Sequence, residues 1–283
     1  MLDSLLNLRF VEAGEGIPVS GWIHNKRIPF IIVAQATNGS YEVISKNGHI
    51  VTQGTEAFLA PADIELSIIH HAAEDGTPMH FRYAHLQFMI CDTIDLSALF
   101  QLPPKTDSAK GAVLGEWIEQ LLDCMHPQQG FEWKYAARRK EIGYRILNEL
   151  LDISEPNQFH EHFFYEANIL VPILTYMSEN LGNPEDVDTL VSRFHLSRTA
   201  LFQLFKKVFE RSPIAYWKQI RLQEAYKMLC ATNTSINEIA YQYGFATRNH
   251  FSREFKKEYK MTPSESRKYY HDLHHSNQKS GRQ

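Results

Sequence analysis

The sequence predicts a multidomain α+β chain: an N-terminal β-barrel or sandwich, a helical connecting region and an all-α C-terminal domain. Three observations predict it. Residues 20–90 break into short apolar or β-branched runs separated by turn residues. Beyond QLPPKTDSAKG (101–111) the apolar spacing lengthens to that of helices. A nine-residue phrase then occurs twice, FKKVFERSP from Phe205 and FKKEYKMTP from Phe255.

At 283 residues the chain has length for about two domains with buried cores. Its net charge of −4 conceals a gradient. Basic and acidic side chains number 5 and 11 over residues 1–100, 7 and 12 over 101–181, and 17 and 10 over 182–283. A basic last third on an acidic body points to a polyanion-binding module. Three widely spaced cysteines (Cys91, Cys124, Cys230) fit reduced thiols better than a disulfide framework. The opening MLDSLLNLRF has an early Asp and no small-residue cleavage site, so no signal peptide is read there. No apolar run approaches the ~18 residues of a membrane span.

In the N-terminal part, IPFIIVAQA, SYEVI, EAFLA and IELSII read as strands. Asn38-Gly39 and Asn47-Gly48 supply the positive φ of tight hairpins. In FRYAHLQF (81–88), Tyr83, His85 and Gln87 share one face, while Arg82, Ala84, Leu86 and Phe88 share the other. Helices are expected at about Glu116–Met125, Phe131–Leu150 and Phe159–Leu181. The polar end HSNQKSGRQ reads as disordered.

The repeated phrase belongs to a longer repeat. The first copy opens at Asn183-Pro184, an N-cap followed by proline, with an apolar face of Val187, Leu190 and Val191. The second opens at Ser235, with Glu238 completing a capping box, and shows Ile236, Ile239 and Ala240. A break follows at His195-Leu196 or Gly244-Phe245, where a left-handed residue can end a helix. A second helix then starts after Ser197 or Ala246-Thr247. Its core side is Leu201, Leu204, Phe205 and Val208, or Phe251 and Phe255. Each copy is therefore a helix-turn-helix. Between them, Ser212-Pro213 start a helix running to about Leu229, with a packing face of Ile214, Trp217, Ile220, Arg221 and Ala225. Thr262–Glu265 begin a last helix with another capping box.

The outward sides of the second helices carry Arg198, Thr199, Gln203, Lys206 and Lys207, and Arg248, Asn249, Ser252, Arg253, Lys256 and Lys257. Arg, Asn and Gln can read base edges in a major groove, while Lys and Ser/Thr more often meet phosphates. One such pattern could be an ordinary solvated helix face. Two in register, inside the only basic third, favour DNA.

At these residues the chain resembles the AraC/XylS family of bacterial transcription regulators. GFATRNHFSREFKKEYKMTPSESRK is similar to the family's second helix-turn-helix signature, and LSRTALFQLFKK to its first. Val191, His195 and Arg248-Asn249 depart from the usual small residues, which bears on the DNA sequence read rather than on the fold. The resemblance implies a cupin-like effector-binding and dimerisation barrel over 1–105 and a helical linker over 106–165. It implies a DNA-binding domain over 166–275, with units at about 184–207 and 235–257, and a disordered tail at 276–283. It further implies a cytoplasmic homodimer that acts on promoter DNA, with RNA polymerase as a partner and without a cofactor. By analogy with sugar-responsive members, Arg27, Tyr83 and His85 would line the effector site, with Trp22 and His24 as further candidates.

Two rivals remain at this level. The barrel could serve a protein partner or dimerisation alone. It could also hold a catalytic metal, since His70, His71, His80 and His85 cluster in sequence. Adjacent His70-His71 point to opposite faces of a strand, however, and the barrel region holds no H-x-H pair.

Overall fold

The computed structural model describes residues 5–125 and 129–270. The tail expected at 276–283 lies outside the described residues. The chain divides into two compact units. One contains Leu6–Met89 and Asp95–Pro156; the other contains Ile90–Ile94 and the chain from Asn157.

The N-terminal unit is built from β1 (Leu6–Gly16), β2 (Ile23–Lys26), β3 (Ile31–Asn38), β4 (Ser40–Ser45), β5 (Gly48–Val51), β6 (Ala57–Ala60), β7 (Leu66–His71) and β8 (His80–Ile90). They form two sheets, ordered β1-β8-β3-β6 and β2-β7-β4-β5. The two Asn-Gly turns do different work. Asn47-Gly48 closes the β4–β5 hairpin, with Ser45 opposite Gly48. Asn38-Gly39 is not a hairpin, because β3 and β4 lie in different sheets and the chain turns a corner there. Gly39 has φ +80°, and a Cβ would come within 2.3 Å of the His71 carbonyl oxygen.

Two helices cover the outer face of the first sheet: α1 (Ser108–Asp123) and α2 (Glu132–Asp152). α1 starts eight residues before the expected Glu116, capped by Asp107, whose side chain accepts from the Lys110 amide. Gly111 and Gly115 are the reason a helix fits so close. A Cβ at either would approach Thr55 O or Gln35 Oε1 to 2.1 Å. The second face of β8 meets these helices: Arg82 pairs with Glu119 on α1 at 2.9 Å, and Phe88 packs on Tyr144 of α2.

The C-terminal unit is helical: α3 (Gln158–Glu179), α4 (Val187–Phe194), α5 (Arg198–Phe209), α6 (Pro213–Ala231), α7 (Ile236–Gln242) and α8 (Arg248–Tyr259), followed by a helix over 263–270. The start of α4 differs from expectation. Its cap is Asp186 rather than Asn183, because the Asp186 carboxylate accepts from both the Thr189 amide and its hydroxyl at 2.9 Å. Ser197, Ser212, Ser235 and Thr247 cap as their types suggest, and the Ser235–Glu238 and Thr262–Glu265 boxes are both closed. The three cysteines are buried and free. No helix among the described residues is long and apolar enough to cross a membrane.

Candidate nucleic-acid interface and barrel cluster

The two helix-turn-helix units follow one backbone recipe. α4 ends at His195 in the left-handed conformation, φ +53°, and α7 gives way to Gly244 at φ +68°. At Gly244 a Cβ would lie 2.5 Å from the Gly182 carbonyl, so glycine is required; the His195 side chain is exposed. The long helices also end alike. Glu210 and Lys260 are both left-handed, and their amides bond to the carbonyls of Lys206 and Lys256. Ser212-Pro213 and Thr262-Pro263 then start the next helices. The repeated phrase encodes this helix end, turn and restart.

Burial separates the two sides of each long helix. Leu201, Leu204, Phe205 and Val208 of α5 are buried, as are Phe251, Phe255 and Tyr259 of α8. Arg198, Thr199, Gln203, Lys206 and Lys207 are exposed; so are Arg248, Asn249, Arg253, Lys256 and Lys257, with Ser252 half-buried. The exposed groups are not equally placed for DNA. Arg198 pairs with Asp188 of α4 at 3.0 Å, and Lys206 donates to the Glu210 carbonyl at 3.2 Å. Lys207 turns towards α3, bonding Glu166 and sitting 4.5 Å from the Tyr165 ring centre. Gln203, Lys206 and Lys207, with Phe202, Arg211 and Ser212, line a recess of about 550 Å³.

α6 holds the two units together. Trp217 is buried, and its Nε1 donates to the Met177 carbonyl of α3 at 2.9 Å. Arg221 donates from Nε to the Tyr243 carbonyl at 2.6 Å and from Nη2 to that of Gly244. Ile214, expected on the packing face, is instead 40% exposed, although Pro213 before it and Tyr216 and Trp217 after it are buried. Lys218 reaches Glu254 on α8 at 2.6 Å, and Arg211 reaches Glu258 at 3.6 Å.

In the barrel, alternation along β2 turns Trp22, His24 and Lys26 to one side. Trp22, His24 and His70 form a stacked group with ring centres 4.5–5.2 Å apart. Tyr83 and His85 of β8 lie together, ring centres 4.6 Å apart. Lys26 Nζ lies 2.8 Å from His85 Nε2, and Glu12 Oε2 lies 3.6 Å from His85 Nδ1. Four of the five expected lining residues thus fall in these groups. Arg27 does not join them; its guanidinium lies 3.7 Å from Glu65. Lys26 and Glu12 were not singled out from sequence, and His70 was weighed there only as a metal ligand, although the period-2 spacing of Trp22, His24 and Lys26 carries a signal. His70 is buried while His71 is half-buried and bonds Glu42, so the adjacent pair does point to opposite faces. Among the described residues no group of three His, Cys, Asp or Glu is arranged to hold a metal.

Burial dominates the protonation of this cluster. It pulls His24 down to about 3, with the charge of Lys26 adding to the effect. It pulls His70 down to about 4, opposed by the bond from Nδ1–H to the Trp22 carbonyl. Burial lowers Lys26 to about 8, against the pull of Glu12. Both histidines are therefore neutral in the fold at neutral pH, whereas unfolded histidine takes up protons near 6.5. Between about 6.5 and 4 the unfolded state binds more protons, so the N-terminal unit should lose stability as pH falls through that window. Thermal melts should show the loss, and a His24→Asn/His70→Asn variant should flatten it. A melting temperature of the wild-type chain that is level from pH 6.5 to 4.5 would contradict this burial.

Comparison with known proteins agrees with the geometry. Residues 190–269 match the family model described as a helix-turn-helix domain. The HTH-type transcriptional activator RhaS of Escherichia coli is 26% identical over 150 residues, 53% of each chain. The chain thus spans about half the length of the curated relatives it matches. ToxT from Vibrio cholerae O395 superposes over 91% of this chain and 96% of its own, with a TM-score of 0.50 at 13% identity, a likeness of fold. A Chromobacterium violaceum regulator with an AraC-type DNA-binding domain is 28% identical, covering 37% of this chain and 94% of its own, at a TM-score of 0.36.

Proposed function

We propose that this chain, which carries an AraC-type helix-turn-helix domain on an AraC/XylS-family fold, is a sequence-specific transcription regulator controlled by a small molecule in its barrel. The observation that carries the reading is the pair α5 and α8. Each buries one side and exposes Arg with Asn or Gln and Lys on the other, and α6 braces both. The 19 residues of α6 span about 28 Å, comparable with the ~34 Å turn that separates successive major grooves on one DNA face. Arg198, Thr199, Gln203, Arg248, Asn249 and Arg253 then face bases, and Lys206, Ser252, Lys256 and Lys257 face the backbone. Lys207, held by Glu166, serves as a brace until it releases. In this reading the protein works as a cytoplasmic homodimer and activates with RNA polymerase. Its effector meets Trp22, His24, Tyr83 and His85, with a sugar as the class the family resemblance suggests.

The test is a footprint of the purified protein on DNA flanking its own gene. Direct repeats, each covering two successive major grooves, are expected. Absence of protection, with only weak salt-sensitive binding even after a screen of small metabolites, would count against the reading. On the protected site, Arg198→Ala and Arg248→Ala should each cost about 1–3 kcal/mol and relax preference at one position. Lys206→Ala should weaken all DNA alike and reduce the salt slope by about one. Losses below about 0.5 kcal/mol from both arginine variants would remove these residues as readers.

A further inference from the structure

Lys26 is an unusual side chain to place inside a barrel. It leaves β2 on the same side as Trp22 and His24, and its Nζ comes 2.8 Å from His85 Nε2 and 5.5 Å from the Tyr83 ring centre. Two cations cannot share that distance, so the ammonium and the imidazolium exclude one another. Glu12 of β1 is the anion beside the pair. The remaining titratable groups of the cluster, His24 on β2, His70 on β7 and Tyr41 on β4, are held neutral by burial.

We propose that Lys26 binds its effector covalently, as an imine with a small neutral hydroxyaldehyde or hydroxyketone, with His85 moving the proton. The proposal deepens the reading of the barrel as an effector site and rests on it. Starting from the ammonium, Nζ gives one proton to His85 Nε2, and its lone pair attacks the carbonyl carbon while the C=O π pair moves to oxygen. His85 delivers that proton to the oxygen, then takes a second proton from Nζ and delivers it to the new hydroxyl. The hydroxyl leaves as water with the C–O pair, and the nitrogen lone pair forms the C=N bond of a protonated imine. The sum is ammonium plus carbonyl giving protonated imine plus water, with no oxidant or reductant. The positive charge of the imine stays beside Glu12, where the ammonium charge was. The same carboxylate disfavours an anionic effector such as a 2-oxo acid. Trp22 offers an aromatic face to the ligand's C–H groups, and the Tyr83 hydroxyl offers a hydrogen bond to its hydroxyls.

Buried lysines with lowered pKa are the ones that form Schiff bases. A fall from 10.5 to about 8 raises the free-amine fraction at neutral pH on the order of 100-fold.

The experiment treats the full chain with glyceraldehyde at neutral pH, reduces with cyanoborohydride, and locates the adducts by peptide mass spectrometry. Pyruvate is the parallel, anionic probe. The expected result is one dominant glyceraldehyde adduct at Lys26, at least about 10-fold over any surface lysine, increasing as pH rises through about 8. It should be weaker with pyruvate, and Lys26 should lose its lead over the other lysines when the protein is unfolded before treatment. Lys26→Arg keeps the charge and should lose the adduct while retaining the melting temperature. His85→Gln should slow labelling without abolishing it. Labelling spread over surface lysines with Lys26 unmodified overturns the proposal, as does Lys26 labelling that is no faster in the fold than in urea. The footprint of the wild-type chain is read separately. A protein that protects DNA but leaves Lys26 unlabelled refutes the imine alone, and one labelled at Lys26 that protects no DNA refutes the regulator reading alone.

Discussion

Trp217→Ala should destabilise the C-terminal unit by about 3–5 kcal/mol, the usual cost of emptying a large core site. Trp217 is 1% exposed, near the start of α6 and against the end of α3. Its ring lies near Tyr176, with centres 6.2 Å apart, and its Nε1–H satisfies the Met177 carbonyl in the last turn of α3. Alanine therefore leaves a cavity and removes one of the two donors to the Met177 carbonyl, the Asn180 amide at 3.3 Å being the other. Phenylalanine keeps most of the volume and loses only the bond, so Trp217→Phe should cost about 1–2 kcal/mol. Hydrogen exchange of the full chain along a urea series, read peptide by peptide, separates the units. The expected result is earlier opening of the helices from α3 onward with strands β1 to β8 unmoved. Equal, small losses for both variants would mean that Trp217 is not the core anchor of this unit.

The helical part was legible because its punctuation is chemical. Ser197, Ser212, Ser235 and Thr247 are strong caps, and Gly244 is the residue type that a left-handed turn against the Gly182 carbonyl demands. Asn183 misled because two good caps stand three residues apart; the local bonds from the Thr189 amide and hydroxyl choose Asp186. α1 was started late for a related reason. Gly111 in sequence reads as a breaker, whereas in the fold it lets the helix lie against the Thr55 carbonyl. The role of Asn38-Gly39 was illegible because a corner between sheets and a hairpin need the same positive φ. Strand alternation put Tyr83 and His85 on one face, while their place at an effector site, with Trp22 and His24, came from the family resemblance. Lys26 was passed over because no strand was read before Ile28, and only the pairing of β2 and the neighbouring β8 brings it to His85.

Arg221→Ala should detach the second helix-turn-helix from its brace. Arg221 is 8% exposed in the middle of α6, and burial lowers its pKa to about 10, which leaves it charged at neutral pH. Its two donors meet the carbonyls of Tyr243 and Gly244, where α7 ends and the backbone has no helical partner for them. Its plane also lies 4.4 Å from the Phe245 ring centre, so one side chain fixes three consecutive residues of the turn that launches α8. Each hydrogen bond from a charged donor contributes about 1.5–3 kcal/mol, so losing both should cost roughly 3 kcal/mol or more. Arg221→Lys should rescue little, because a point-like ammonium cannot fork between two carbonyls. The cost should be local. Amides of α7 and α8 should exchange faster while those of α4 and α5 keep their protection, and the footprint should shrink to the half read by α5. If exchange in α8 is unchanged, or if α4 and α5 loosen equally, Arg221 is a general core residue and not the tie that orients the second reading head.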